Sequence, residues 1–436
     1  MPAKSKVHLR LKSPLLPILV GVLIMMQVVD TYKGWVILST GLGLVWLTSY
    51  LWARSLAYGL SLTREMRFGW SQVGDHLEER FTLHNKSALP APWVEVRDHS
   101  DMPSYHPGRA TRIDQLSNSS WRTQGVCSSR GLFTLGPTSL HSADPFGIYS
   151  VTIEDPATAT LAVMPPVIPL PAIPVSQGGR AGEARPRGGA PEQTVSVSSV
   201  RPYTPGDSLH SIHWRTTARR GSPFVRIFDG TPAGDWWIFL DLEQGVQAGE
   251  GWNSTIEHGV ILAASLADQG LRERRAVGLV VNSQELVWLA PQQGGNRRWE
   301  VLRSLALVKP GTRSLAELLT RTKPAIGKRS SLVLITPNQE GEWIEALLPL
   351  TWLGAVPTVL LFERAAFEGD SRREDAPPLL RHLDQLGIRS YPVTPELVDR
   401  PEARPGHAGQ WEWRVSPRGR AVAVRKPEEA PWKALG

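Results

Sequence analysis

The chain has 436 residues, 41% of them apolar and 20% charged, with a formal net charge of +7. That length is too great for one ordinary core and predicts two or three folded domains, and the balanced composition excludes a low-complexity chain. So mild a basic excess suits attraction to anionic lipid and a solvated surface, and lacks the concentrated patch of a nucleic-acid-binding protein.

Two apolar runs open the sequence: Pro14 to Val29 has no charge over 16 residues and Gly34 to Ala53 none over 20. At about 1.5 Å per residue the second is long enough to cross a hydrocarbon core, and the first is marginal unless its flanks join it or the bilayer thins. Only Asp30, Thr31, Tyr32 and Lys33 separate the runs, which predicts a tight helical hairpin over 14–54. A cleaved signal peptide is the rival reading of the first run, weakened by the lack of a small-x-small cleavage motif and by the second run that follows at once. Lys4, Lys6, Arg10 and Lys12 precede the first run, and Arg54, Arg64 and Arg67 follow the second. The positive-inside rule then places the N-terminus and everything after Arg54 in the cytoplasm, with the lipid bilayer as first partner. The single cysteine, Cys127, forbids an intramolecular disulfide and fits a reducing compartment.

Over 58–165 the pattern changes to short alternating runs. Glu79 to His84 and Trp93 to Arg97 alternate with period two, and Asn85-Lys86-Ser87 and Leu89-Pro90-Ala91-Pro92 supply turns. Arg130 to Pro137 reads as a turn and strand, and Asp144-Pro145-Phe146-Gly147 as a further turn. Strands so spaced, with no helical period, predict a small β-sandwich-like domain with a structural role. Residues 176–193 are rich in glycine, proline and arginine and read as a flexible linker or loop.

The segment 194–230 holds the densest cluster of singular residues. Pro205-Gly206-Asp207 is a tight turn, and Asp207 or Ser208 is placed to cap a helical turn carrying Ile212 and Trp214. Arg215, Arg219 and Arg220 project from its far end, and Val225 to Phe228 is a strand. The run from Arg201 through Tyr203, Pro205, Gly206, Asp207, His213, Trp214 and Arg215 to Arg219, then Val225-Arg226 with Phe228-Asp229, resembles the defining motif of the bacterial "domain of unknown function 58" family. Arg130-Gly131-Leu132-Phe133 with Asp144-Pro145-Phe146-Gly147 is similar to a second block of that family, and the likeness extends over about residues 14 to 395. Two roles stay open for Tyr203, Pro205, Gly206, Asp207, His213, Trp214, Arg215, Arg219 and Arg226: an interaction surface, or an anion cradle serving a sensor or enzyme. No serine or cysteine nucleophile stands beside an evident base, so catalysis is not predicted.

From Asp235 strands and helices alternate: strands begin at Trp236, Ala276, Leu332, Thr358 and Ile388, with helices over 255–274, 297–307, 314–322, 342–353 and 378–386. The alternation predicts a mainly parallel sheet covered on both faces over 235–398. The family resemblance implies that this is a von Willebrand factor A-like, Rossmann-type domain, many of which hold a divalent metal on an Asp-x-Ser-x-Ser loop. Here that loop is Asp241-Leu242-Glu243-Gln244-Gly245; the aspartate is present as Asp241, Glu243 and Gln244-Gly245 replace the serines, and no metal or other cofactor is expected. The eleven histidines lack zinc spacing, and no phosphate-binding glycine loop occurs.

Residues 399–436 form a tail with a candidate hairpin, Trp411 to Val415 against Arg420 to Val424, and a poorly ordered end. The whole reads as a multidomain, non-enzymatic interaction or scaffold protein, with two membrane spans and cytoplasmic soluble domains. The resemblance implies partnership with a MoxR-type AAA+ ATPase in an envelope-related or chaperone-like process; other membrane proteins are further partners. Two alternatives are an anionic-ligand sensor or enzyme at the signature segment, and polyanion binding through the linker, which predicts salt-dependent retention on a polyanion.

Overall fold

A computed structural model describes residues 5–30, 32–170, 173, 175, 197–204, 212–228, 235–327, 330–368, 378–398, 413–415, 421–423 and 433–434. The chain divides into two compact units, Met1–Pro166 with Pro401–Gly436, and Val167–Arg400.

The first unit begins with a strand, β1 (Lys6–Leu11), followed by two apolar helices, α1 (Leu15–Val29) and α2 (Lys33–Gly59). Strands β2 (Leu60–Met66), β3 (Trp70–Gln72), β4 (His76–Asn85), β5 (Ala91–Asp98), β6 (Arg109–Ile113) and β7 (Ser117–Val126) come next. The unit's consecutive part closes with β8 (Gly131–Leu135), β9 (Thr138–Ala143), β10 (Tyr149–Asp155) and β11 (Ala159–Met164). One sheet has the order β1-β10-β9-β5-β6; another sets β7, β4 and β2 beside the tail strand Lys433–Ala434. Val94, Val96, Leu140, Val151 and Ile153 of the first sheet share one buried cluster with Leu60, Phe81, Leu83 and Trp121 of the second. Two sheets over a common core are the arrangement that alternating strands satisfy by burying one face each.

Two features of this unit were not legible as such. Lys6 to Leu11 alternates Lys-Val-His-Leu-Arg-Leu and pairs antiparallel with β10, although its cations read as the flank of a membrane span. The second helix also runs past Ala53 to Gly59, directly into β2. Ala53, Leu56 and Ala57 join the β core, Trp46 Nε1 donates to Tyr149 Oη at 2.7 Å, and Trp52 Nε1 donates to Pro90 O at 3.0 Å. The last turns of α2 thus belong to the β unit, which makes the junction a rigid weld.

At that junction a Cβ on Gly59 would lie 2.5 Å from Ser87 Cβ and 2.7 Å from the Ser87 backbone nitrogen. The obstacle includes backbone, which cannot rotate away. Gly59→Ala is therefore expected to cost about 1–3 kcal/mol, as overpacked sites do, and a lowered unfolding midpoint in detergent would show it.

The second unit holds an antiparallel ladder of β12 (Val197–Pro202) and β13 (Phe224–Phe228), with α3 (Trp214–Arg220) between them in sequence. Its sheet is built from β14 (Trp236–Leu240) and later strands; a two-residue pair, β15 (Gly249–Glu250) and β16 (Asn253–Ser254), leads into α4 (Thr255–Arg272). Then follow β17 (Val277–Val281), β18 (Val287–Gln292), α5 (Gly295–Leu307), α6 (Leu315–Thr322), β19 (Ser331–Thr336) and α7 (Trp343–Trp352). Strand β20 (Val356–Phe362), α8 (Arg364–Phe367), α9 (Pro378–Gln385), β21 (Arg389–Val393) and α10 (Pro395–Val398) complete it.

The sheet order is β18-β17-β14-β19-β20-β21, all parallel except β18, which is antiparallel to β17. Every residue of β14, β17 and β19 is buried, as the continuous apolar runs of strands covered on both faces require. Trp237, Phe239, Leu332 and Leu334 pack with residues of α6, α7 and α9 in one cluster. On the other face Gly259 of α4 lies against Leu240 and Phe362. Helices α4 and α6 both start at Ser-x-x-Glu, where Ser254 and Ser314 Oγ each accept the backbone N–H of the glutamate at 3.3 Å. The edge strand β18 contains Pro291 and alternates half-buried with exposed residues, so its sequence resembles a loop until it is paired.

In the tail, Trp413–Val415 pairs antiparallel with Ala421–Ala423. The linker at 176–193 and all but two of the last dozen residues lie outside the described residues; Lys433–Ala434 pairs with β2.

Candidate functional site

Two places in the second unit gather residues that sequence reasoning singled out. The first is the carboxyl edge of the parallel sheet, where ligands of open α/β folds bind. Asp241 follows β14 and is buried. Its Oδ1 accepts Asn282 Nδ2–H at 2.7 Å and the Glu243 backbone N–H at 3.1 Å, and its Oδ2 accepts the Thr336 hydroxyl at 2.6 Å. Asn282, from the end of β17, also accepts Leu242 N–H at 2.5 Å and donates to Arg313 O at 2.8 Å. Thr336, from the end of β19, in turn accepts Asn338 N–H at 3.0 Å. Three adjacent strand ends are therefore tied through one carboxylate.

Burial raises the Asp241 carboxyl above its ordinary range, against the lowering by its Thr336, Asn282 and Glu243 donors. Glu243 is raised too, first by burial and then by the negative charges of Asp241, Glu340 and Glu342. One Glu243 carboxylate oxygen, Oε2, is shut from water with no hydrogen-bond partner. These residues do not fit a hard-cation shell. Both Asp241 oxygens already accept N–H or O–H donors, where Mg²⁺ would need oxygen lone pairs. Among the described residues, moreover, no three His, Cys, Asp or Glu side chains are grouped to hold a metal. Asn282 and Thr336 had no sequence signal of their own; only the ends of their strands marked them.

The second place is the signature segment. Tyr203 N–H donates to Pro223 O at 2.9 Å and His213 N–H to Phe224 O at 2.8 Å, so both residues are held against the segment that opens β13. Helix α3 has His213 as its N-cap, and Ile212 is a buried bridge to Val225 outside the helix; the helical turn expected after Asp207 or Ser208 lies outside the described residues. His213 Nδ1 and Thr216 Oγ1 are 2.7 Å apart, and Thr217 Oγ1 accepts Phe224 N–H at 3.0 Å. Gly221, at φ 69°, closes the helix in the left-handed conformation and donates its N–H to Thr217 O at 2.9 Å.

No residue of α3 is buried. With Thr217 turned to the ladder, the 3.6-residue period sets Arg215 and Arg219 together on the opposite face, with Trp214 and Ala218 beside them. Arg220 lies over the Phe224 ring at 5.3 Å. Arg215 and Arg219 are both exposed and form an open cationic face. Pro205, Gly206 and Asp207 fall outside the described residues, as does the side chain of Arg226, whose backbone pairs with Val200 in β13.

Among solved structures, the chain is similar to proximal thread matrix protein 1 of the mussel byssus at 14% identity, TM-score 0.24, over 30% of this chain and 38% of that one. It is also similar to a CARDB domain of a Pyrococcus furiosus protein in complex with di-metal ions, at 10% identity and TM-score 0.18, over 24% of this chain and 94% of that one. At such scores neither likeness bears on fold or function. No curated protein matches the sequence. Residues 199–350, which run from the signature ladder into α7, match the model of the family described as "Protein of unknown function DUF58", and that segment belongs to that family.

Proposed function

We propose that the protein is a membrane-anchored, non-enzymatic interaction module whose soluble units face the cytoplasm. The observation that carries this reading is the exposure of the two apolar helices. Only 17% of the apolar window of α2 is buried, and side chains such as Ile37 and Leu44 stand open, at 72% and 56% exposure. Uncharged surface of this extent, ending at Lys33 and Arg54, asks for lipid. The polar groups inside the pair are met internally: Gln27 Nε2 donates to Trp35 O at 3.0 Å and to Ser39 Oγ. Flanking cations on the β-unit side and the short Asp30–Lys33 connection support a hairpin of two spans with a cytoplasmic β unit.

In the same reading the second unit is a von Willebrand factor A-like domain. Its parallel sheet supports this, and its metal loop has become a hydrogen-bonded strut. The strut fixes the sheet edge that carries Glu243, Glu340 and Glu342, which then serves as a docking face for cytosolic proteins, with a MoxR-type AAA+ ATPase as the partner that the family likeness suggests.

Protease added to inside-out vesicles should digest the chain beyond residue 60, and protease added to right-side-out cells should not. Digestion from the outer side only would overturn the orientation. A pulldown from solubilised membranes should recover the ATPase with the wild type and less of it with Glu340→Lys/Glu342→Lys. Recovery of no such ATPase would sink the partnership while leaving the anchor intact.

A further inference from the structure

The open face of α3 is not explained by a role at the sheet edge. Its seven residues contain three arginines and no acid, and Trp214 is 67% exposed. An indole left in water and cations without carboxylates nearby in the helix are two features with one common solution. A bilayer interface takes a single amphipathic indole at headgroup depth, and its phosphates take arginines.

We propose that α3 docks on the surface of an anionic bilayer, with Trp214 entering the headgroup layer and Arg215 and Arg219 pairing with lipid phosphates. The proposal rests on the anchored reading above, because the anchor keeps the helix near the membrane and lets a weak contact be populated. A protein interface is less suited to this face. It would centre on several packed apolar side chains, and here one aromatic residue and one alanine are bordered by charge. The helix caps are also independent of the exposed face. The His213–Thr216 contact, the Thr217–Phe224 bond and Gly221 hold α3 in place, so the outward residues are free to be chosen for a ligand.

The test uses the full chain reconstituted in vesicles, with Ala218→Cys carrying an environment-sensitive fluorophore. Cys127 will not take the label: it is buried, and burial pushes its thiol up to about 11. In vesicles containing phosphatidylglycerol the probe should be shifted to the blue and shielded from an aqueous quencher. In pure phosphatidylcholine it should be neither. About 1 M salt, which shortens the screening length to about 3 Å, should release it. Arg215→Gln and Arg219→Gln should each lower the ratio of shielded to free probe about fivefold, the equivalent of about 1 kcal/mol per cation. Trp214→Ser should lower it further at any salt.

Equal shielding in both lipids, or none in either, would overturn the proposal. So would shielding that appears only when a protein partner or RNA is added. Flotation of the same vesicles is read separately: a chain that does not float with either lipid overturns the anchor itself, and α3 docking with it.

Discussion

Replacing Arg64 by methionine should destabilise the first unit by about 3–5 kcal/mol, enough to leave it unfolded or nearly so, because it strands two buried carboxylates. Arg64 is 5% exposed on β2 and faces inward with Glu79, which is fully buried on β4. Its Nε and Nη2 hold the two Glu79 oxygens at 2.7 Å each, and its Nη1 reaches Asp98 Oδ1 at 2.6 Å and its Nη2 Ser100 Oγ at 3.1 Å. The Tyr105 hydroxyl donates to Glu79 Oε2 and lies 2.9 Å from Thr123 Oγ1. Burial, and then the neighbouring Glu79 charge, hold that hydroxyl well above the ordinary tyrosine range, so it stays a donor at any physiological pH. The planar guanidinium satisfies both carboxylates in one plane, which lysine cannot reproduce. Arg64→Lys should therefore recover only part of the loss. The double variant Arg64→Met/Glu79→Leu should recover more than Arg64→Met alone, since it removes a buried charge together with its partner. Thermal or denaturant unfolding in detergent measures all three. An Arg64→Met protein as stable as wild type would mean that the network is solvated and the two-sheet core more open than described.

This network also shows where sequence reading stops. The alternation around Phe81 and Leu83 announced β4 and its inward face, and both residues are fully buried. The same alternation puts Glu79 on that inward face, yet nothing local says what neutralises it. Its partners are Arg64 of β2, 15 residues before it, and Tyr105, 26 residues after it, and only the fold brings them together. The apolar runs of the parallel sheet were legible because strands covered on both faces need no partner-specific pattern. Edge strands β1 and β18 were not, because an exposed edge tolerates lysine, arginine and proline. At the candidate site, Asp241 and Glu243 were visible from the altered loop. Asn282 and Thr336 were not, since their role depends on three parallel strands ending at the same level.

The same three strand ends lead to a second large effect. Asp241→Ala should cost the second unit about 1–3 kcal/mol, because it strips a partner from the buried Asn282 amide and the Thr336 hydroxyl. Asp241→Asn is a different experiment. Its amide oxygen can accept from Asn282 and from the Glu243 N–H, and its amide nitrogen can donate to Thr336 Oγ1, so the strut survives without the charge. Burial raises the folded-state carboxyl above the unfolded value. This group's contribution to stability is then complete below the ordinary aspartate range, about pH 3.9, and is lost as pH rises through the folded value. At neutral pH the buried charge itself opposes folding, while the hydrogen bonds that the side chain accepts from Thr336, Asn282 and Glu243 favour it. Asp241→Asn should thus match or exceed wild type at pH 7 and flatten the dependence of stability on pH. A hard-cation site predicts the reverse: the asparagine variant would lose stabilisation by Mg²⁺, and calorimetry on the wild type would show micromolar binding abolished by Asp241→Ala. Unfolding midpoints for the three proteins across pH, with and without Mg²⁺, decide between a strut and a metal site. The strut predicts three curves indifferent to the ion, with the asparagine curve the flattest.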